Sequence, residues 1–155
     1  MRKVSILAVG CLLGVFGVSA SAETWEYGEN IDLMTDEDKS TALVANGRNE
    51  VIVIRCDGTD RFELYVGVGE YLGGDRQPVS YRFDSEDPVS AGRWGLSTDK
   101  TVAFAPSSLK DELIELFRRH NQVVFQIRDY QGSSPTTKFS LEGSEAAISQ
   151  MNCID

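Results

Sequence analysis

The sequence predicts an α+β domain, mostly antiparallel β and sandwich-like, with one mid-chain helix and a short C-terminal helix tied back by a disulfide. Three observations carry this reading. Short β-rich runs are separated by strong turn signals. A single long amphipathic segment arrives only after many strands, so there is no β-α-β alternation and no parallel sheet is expected. Two cysteines remain in the chain once its export segment is set aside, one in the most apolar strand and one near the C-terminus.

The chain opens with Met-Arg-Lys, an apolar stretch from Val4 to Val18, and then Ser19-Ala20-Ser21-Ala22. Positive charge, apolar run and small residues in this order read as a secretory signal peptide, residues 1–22, cut after Ala22. The apolar run is about 15 residues, short of the ~20 that a spanning helix needs. Cys11 is a poor lipoprotein cysteine because the apolar run continues past it, so it is expected to leave with the signal. Residues 23–155 are expected to fold as one domain.

Glu23–Tyr27 reads as the first strand, and a loop with the acidic run Asp36-Glu37-Asp38 follows. Thr41–Ala45 is the second strand, and Asn46-Gly47-Arg48-Asn49 is a turn. Val51–Cys56 is apolar on both faces and reads as a central strand. It forms a hairpin with Phe62–Val68 across Asp57-Gly58-Thr59-Asp60. Gly69–Gln77 is a loop. In Val79–Asp84, Val79, Tyr81 and Phe83 share one face while Ser80, Arg82 and Asp84 share the other. Ser85–Gly92 reads as a loop, with short strands Trp94–Ser97 and Thr101–Ala105 around Thr98-Asp99-Lys100.

A helix is expected after Pro106, capped by Ser108, with Asp111 and Glu112 in its first turn and Arg118, Arg119 and His120 at its end. Leu109, Leu113, Leu116 and Phe117 form its apolar stripe. Val123–Ile127 and Thr137–Leu141 read as a second hairpin. Gly143-Ser144 then starts a terminal helix carrying Ala147, Ile148, Met151 and Cys153.

The full chain carries a net charge of -9, and loss of Arg2 and Lys3 with the signal makes it -11. Such a surface repels nucleic acid and anionic lipid, so neither is an expected partner. It suits solubility and a basic partner equally. After signal cleavage, an even cysteine count in an exported chain reads as a Cys56–Cys153 disulfide. That bond would close a loop of about 100 residues, worth about 4.7 kcal/mol in the chain-entropy model. Two sulfurs and one distant histidine lack zinc-ligand spacing, so no metal and no cofactor is expected.

No catalytic residue is singled out. His120, the sole histidine, sits at a helix end beside two arginines and reads as a surface residue. Asp36/Asp38 and Asp84/Asp87 are the available carboxylate pairs, both in polar loops. Asp84-Ser85-Glu86-Asp87 lacks the turn glycine of a calcium loop, and the glycine pairs lack the features of a phosphate loop. The binding candidates are Arg55, Arg82, Asp84, Arg93 and Trp94. Two readings stay open for them. Asp84 can pair with Arg82 or Arg55 to staple strands, or the group can be a ligand patch with Trp94 as aromatic anchor.

The series Trp25, Asp36, Arg48, Ile54-Arg55-Cys56, Leu64-Tyr65-Val66, Val79-Ser80-Tyr81-Arg82-Phe83-Asp84, Trp94, Phe104, Phe139-Ser140-Leu141-Glu142-Gly143, Ala147 and Cys153 resembles the type VI secretion-associated VasI/TagO family. The resemblance covers nearly all of residues 23–155. It implies a non-enzymatic periplasmic accessory protein of that secretion system, acting through a protein partner in the envelope. Two alternatives fit the residues: an inhibitor or binding module for an envelope enzyme or cell-wall ligand, and a carboxylate-based envelope hydrolase.

Overall fold

A computed structural model describes residues 24–46, 50–58 and 61–154. The expected signal peptide, its cleavage point, Cys11, Gly47–Asn49 and Thr59-Asp60 lie outside the described residues. Nine strands form one antiparallel sheet: β1 Glu26–Gly28, β2 Thr41–Asn46, β3 Glu50–Cys56, β4 Phe62–Val68, β5 Arg76–Phe83, β6 Val89–Leu96, β7 Val102–Phe104, β8 Gln122–Ile127 and β9 Thr136–Ser140. The order across the sheet is β1-β2-β3-β4-β7-β6-β5-β8-β9. Helix α1 spans Ser107–Arg119 and α2 spans Ser144–Ile148.

The strands alternate as the pleat requires. Phe62, Leu64 and Val66 of β4, and Gln77, Val79, Tyr81 and Phe83 of β5, point inward, while Glu63, Tyr65, Ser80 and Arg82 point out. The sheet curls until its ends meet. Trp25, just before β1, donates its backbone N–H to the Glu142 carbonyl just after β9, at 3.0 Å. Its indole N–H reaches the Ser140 carbonyl at 3.1 Å. Closing the sheet in this way shelters edges that would otherwise offer unpaired backbone groups to another chain.

Helix α1 covers one end of the curl. It buries Leu113, Ile114 and Phe117, with Leu109 and Leu116 partly buried against the same core. Phe117 meets Trp25, Phe83 and Phe125 at ring-centroid distances of 5.6, 5.9 and 6.5 Å. Phe125 in turn meets Trp94 at 6.0 Å. This aromatic chain joins the two halves of the sheet to the helix.

Hairpin alternation sorts the connections into two ends. One end holds the exit of β2, the entry of β3 and the turns 69–75, 97–101 and 128–135. The other holds the 29–40 loop, Asp57 and Arg61 between β3 and β4, the 84–88 turn, both helices and the C-terminal segment. The Cys56–Cys153 disulfide is present at this second end, with Cα atoms 5.8 Å apart.

Several expected boundaries move. The first strand begins at Glu26 rather than Glu23, because Trp25 is used to close the sheet. The expected loop 85–92 ends early, since β6 starts at Val89. Its pairing with β5 shifts register between Pro78 and Ser80, where Pro78 has no N–H to contribute, and Gly92 takes φ +75°. Ser108 does not cap α1: the N-cap is Pro106, no side chain caps it, and Asp111 and Glu112 fall beyond the first turn. Helix α2 stops at Ile148, so Met151 and Cys153 follow it rather than ride on it.

Candidate functional site

The five residues expected to form a patch are dispersed. Arg55 is exposed on β3 and pairs with Glu63 of β4 at 2.6 Å, a cross-strand contact between directly paired residues. Arg82 is exposed on β5 opposite Val124. Arg93 of β6 and Arg76 of β5 each donate to the other's backbone carbonyl, at 2.7 and 2.9 Å. Trp94 is fully buried, and its indole N–H is held by the Ala91 carbonyl at 3.1 Å.

The expected Asp84 pairings with Arg82 or Arg55 are not formed. Strand β5 ends at Phe83, and Asp84 turns away with φ +44°, so it no longer shares a face with Arg82. Arg55 stands on β3, four strands from β5 along the sheet, or about 19 Å at ~4.8 Å per step. Asp84 instead binds His120. Its Oδ2 lies 2.9 Å from His120 Nδ1, while Oδ1 accepts the N–H groups of Asn121 and Gln122 at 3.1 Å each. The His120 hydrogen bond, helped by those two amides, holds the Asp84 carboxyl below its ordinary range. The histidine is not a free surface residue: its side chain is only 18% exposed and its ring lies 4.9 Å from that of Phe83. The pair fastens the exit of α1 to the turn after β5.

The end that carries the disulfide also carries an open groove of about 640 Å³. One wall is the β3–β4 hairpin, through Asp57, Arg61, Phe62 and Glu63. The other is α1, through Lys110, Asp111, Ile114 and Glu115, and Cys153 and Ile154 close the third side. Apolar side chains from Phe62, Ile114 and Ile154 sit among four carboxylates and two cations. One of those cations is committed: Lys110 Nζ lies 4.8 Å over the Phe62 ring and donates to the Phe62 carbonyl. Arg61 lies 3.8 Å from Asp57. The carboxylates are engaged as well, Glu63 by Arg55 at 2.6 Å and Glu115 by Arg118 and Arg119 at 3.0 Å each, so among the described lining residues Asp111 is the carboxylate with no cation bonded to it.

Beside this groove stands the 29–40 loop. Lys39 binds the Asp57 carbonyl at 2.8 Å and the Glu37 carboxylate at 3.0 Å, which fixes the base of the loop to a wall of the groove. At its tip Leu33 is 94% and Met34 91% exposed. Neither the groove nor this tip was among the residues the sequence singled out. An apolar pair set in an otherwise acidic loop is the signal that marks the tip, whereas the groove arises from segments 57–63, 107–115 and 153–154, which only the fold brings together. At the opposite end Tyr71 and Tyr130 pack edge-on with centroids 5.9 Å apart.

Among the described residues no group of histidine, cysteine and carboxylate side chains could hold a metal ion, and no helix is long and apolar enough to cross a membrane. Comparison with protein families gives a match to the Invasion associated locus B (IalB) protein family over residues 49–152. That span is more than half of the 155 residues, and the chain belongs to this family. The match replaces the resemblance to the VasI/TagO proteins, and the link to type VI secretion drawn from it falls. No curated protein and no solved structure matches the chain.

Proposed function

We propose that this IalB family member is an exported, non-enzymatic accessory protein of the cell envelope that binds a basic protein partner. The groove beside the disulfide carries the reading. It sets apolar side chains from Phe62, Ile114 and Ile154 beside Asp111, an exposed carboxylate with no cation bonded to it among the described residues. A cationic segment with interspersed apolar residues complements both features, and a net charge of -9 on the whole chain steers such a partner toward the surface. The compartment argument is the disulfide, a bond that persists where the surroundings are oxidising; the periplasm, reached after cleavage behind Ala22, is the compartment we favour. Among the described residues no hydroxyl or thiol is hydrogen-bonded to His120, whose ring nitrogens face Asp84 and Glu86, and a non-enzymatic role is the simplest use of this surface.

The test is retention of envelope proteins on the immobilised chain, with wild type beside Asp111→Lys. Asp111 lies on the groove wall and is exposed. A partner of high isoelectric point, released by raised salt and lost with Asp111→Lys, is the expected outcome. Retention that ignores both salt and the substitution removes the groove from the account.

A further inference from the structure

The 29–40 loop is braced by its own hydrogen bonds, and its apolar tip is left almost wholly exposed. Asp32 organises it: Oδ1 accepts the backbone N–H groups of Met34 and Thr35 at 2.8 and 3.2 Å. The Asp32 N–H binds the Glu37 carbonyl at 2.9 Å, and the Asp36 N–H binds the Asp32 carbonyl at 2.8 Å. Ile31 and Asp38 form a β-bridge, and the Lys39 N–H returns to Asn30 at 2.7 Å. Asp36 takes the left-handed φ of +56° that closes the turn, a conformation Asp tolerates better than most residues.

Leu33 and Met34, the two residues this scaffold presents, are nearly wholly exposed. Ordered, exposed and adjacent large apolar side chains mark a contact surface rather than a packing need. The loop also precedes residue 49, where the family match begins, so it stands outside the matched part of the chain. Glu29, Asp32, Asp36, Glu37 and Asp38 flank the tip in sequence, with no lysine or arginine between Glu29 and Asp38. That charge repels an anionic lipid surface, where inserted segments are normally flanked by cations. It complements a pocket rimmed by basic side chains.

We propose that residues 29–40 form a docking finger that inserts Leu33 and Met34 into an apolar pocket rimmed by lysine or arginine on a partner protein. This rests on the reading of the chain as a binder of a basic protein, and it assigns the groove and the finger to one continuous contact, because Lys39 joins the finger to Asp57 on the groove wall. Full burial of two such side chains corresponds to a change in affinity of about tenfold or more.

The experiment places the photo-crosslinker p-benzoylphenylalanine at position 33 of the full exported chain in its own cells, with the same group at Arg82 as control. The expected result is one discrete protein adduct from position 33 and none from position 82. Its cross-linked peptide holds apolar residues flanked by lysine or arginine. A Met34→Asp change in the same chain lowers the adduct yield about tenfold or more at an unchanged melting temperature. Flotation of the purified chain with phosphatidylglycerol/phosphatidylethanolamine vesicles is expected to leave it unbound. Vesicle binding, adducts only to a second copy, or a yield indifferent to Met34→Asp overturns the finger. If no adduct forms while Asp111→Lys still abolishes retention of a basic partner, the finger falls and the groove stands. If neither position 33 nor the groove has a partner, both fall.

Discussion

Replacing Cys56 and Cys153 together by alanine tests the largest covalent constraint in the chain. The two cysteines are separated by 97 residues. Closing a loop of that length removes denatured-state entropy worth about 4.7 kcal/mol in the chain-entropy model. The native side of the cycle changes less. Cys56 is buried at the end of β3, but its backbone N–H stays bound to the Ser40 carbonyl at 3.0 Å, and Ile148 and Met151 remain packed without the sulfur link. A net loss of about 3–5 kcal/mol is therefore expected, with a larger m-value because the unlinked chain exposes more surface. Urea unfolding under non-reducing conditions reads this through the buried Trp25 and Trp94. Hydrogen exchange should show residues 149–154 losing protection first, since buried Met151 and the Asn152–Asp38 hydrogen bond are then left to hold that segment beyond one short helix. A midpoint within about 1 kcal/mol of wild type, with exchange unchanged past Ile148, would refute the view that the bond holds the groove wall in place.

Three further substitutions probe the frame around the site. Asp84→Ala should cost about 1–3 kcal/mol, because it leaves the Asn121 and Gln122 amides and His120 without their acceptor; Asp84→Asn should cost less, since it keeps an acceptor and tolerates positive φ, and thermal melts of the two decide it. The Asp84 carboxyl titrates below its ordinary 3.8 in the folded state, so its contribution is present above that value and is lost as pH falls through the folded value. The stability difference between wild type and Asp84→Asn should therefore shrink as pH is lowered below 3.8, and a difference that stays constant there rejects the charge assignment. Gly73→Ala should destabilise by about 1–3 kcal/mol, because Gly73 takes φ +63° and a Cβ would stand 2.5 Å from the Tyr130 ring; an unchanged melting temperature and tyrosine spectrum would show that the ring moves aside freely.

Much of the frame was legible because period-2 alternation and turn chemistry are local. Val79, Tyr81 and Phe83 were assigned one face and are buried together, and Phe62–Val68 was placed residue for residue. The misplacements have nonlocal causes. Pro88 and Gly92 hide β6, whose strand state is imposed by pairing with β5 across a register shift. Ser108 is an attractive cap by type, yet the chain leaving β7 brings Pro106 to that position, so α1 starts two residues earlier than a Ser108 cap allows. Asp84 was matched to the cations nearest in pattern. Its true partner lies 36 residues on, at the end of a helix whose placement only the closed sheet determines. The candidate site was the least legible part, because its walls belong to a hairpin, a helix and a chain end that share no sequence pattern.

The mistaken family resemblance has a physical explanation of its own. The residues that carried it are almost all residues of the frame. Leu64, Val66, Tyr81, Phe83, Trp94, Phe139 and Ala147 are buried, Trp25 closes the sheet, Asp84 fastens α1, and Cys56 and Cys153 form the disulfide. Any chain that folds a curled antiparallel sheet with a helix across one end and a bonded C-terminus needs apolar alternation, an acceptor at the helix exit and two cysteines in similar places. Such a string therefore reports architecture and carries little information about pathway. Residues free of structural duty are where a partner can act on sequence. Here Leu33 and Met34 are the plainest case, because the Asp32 and Asp36 turn would stand without them and yet holds them out to solvent.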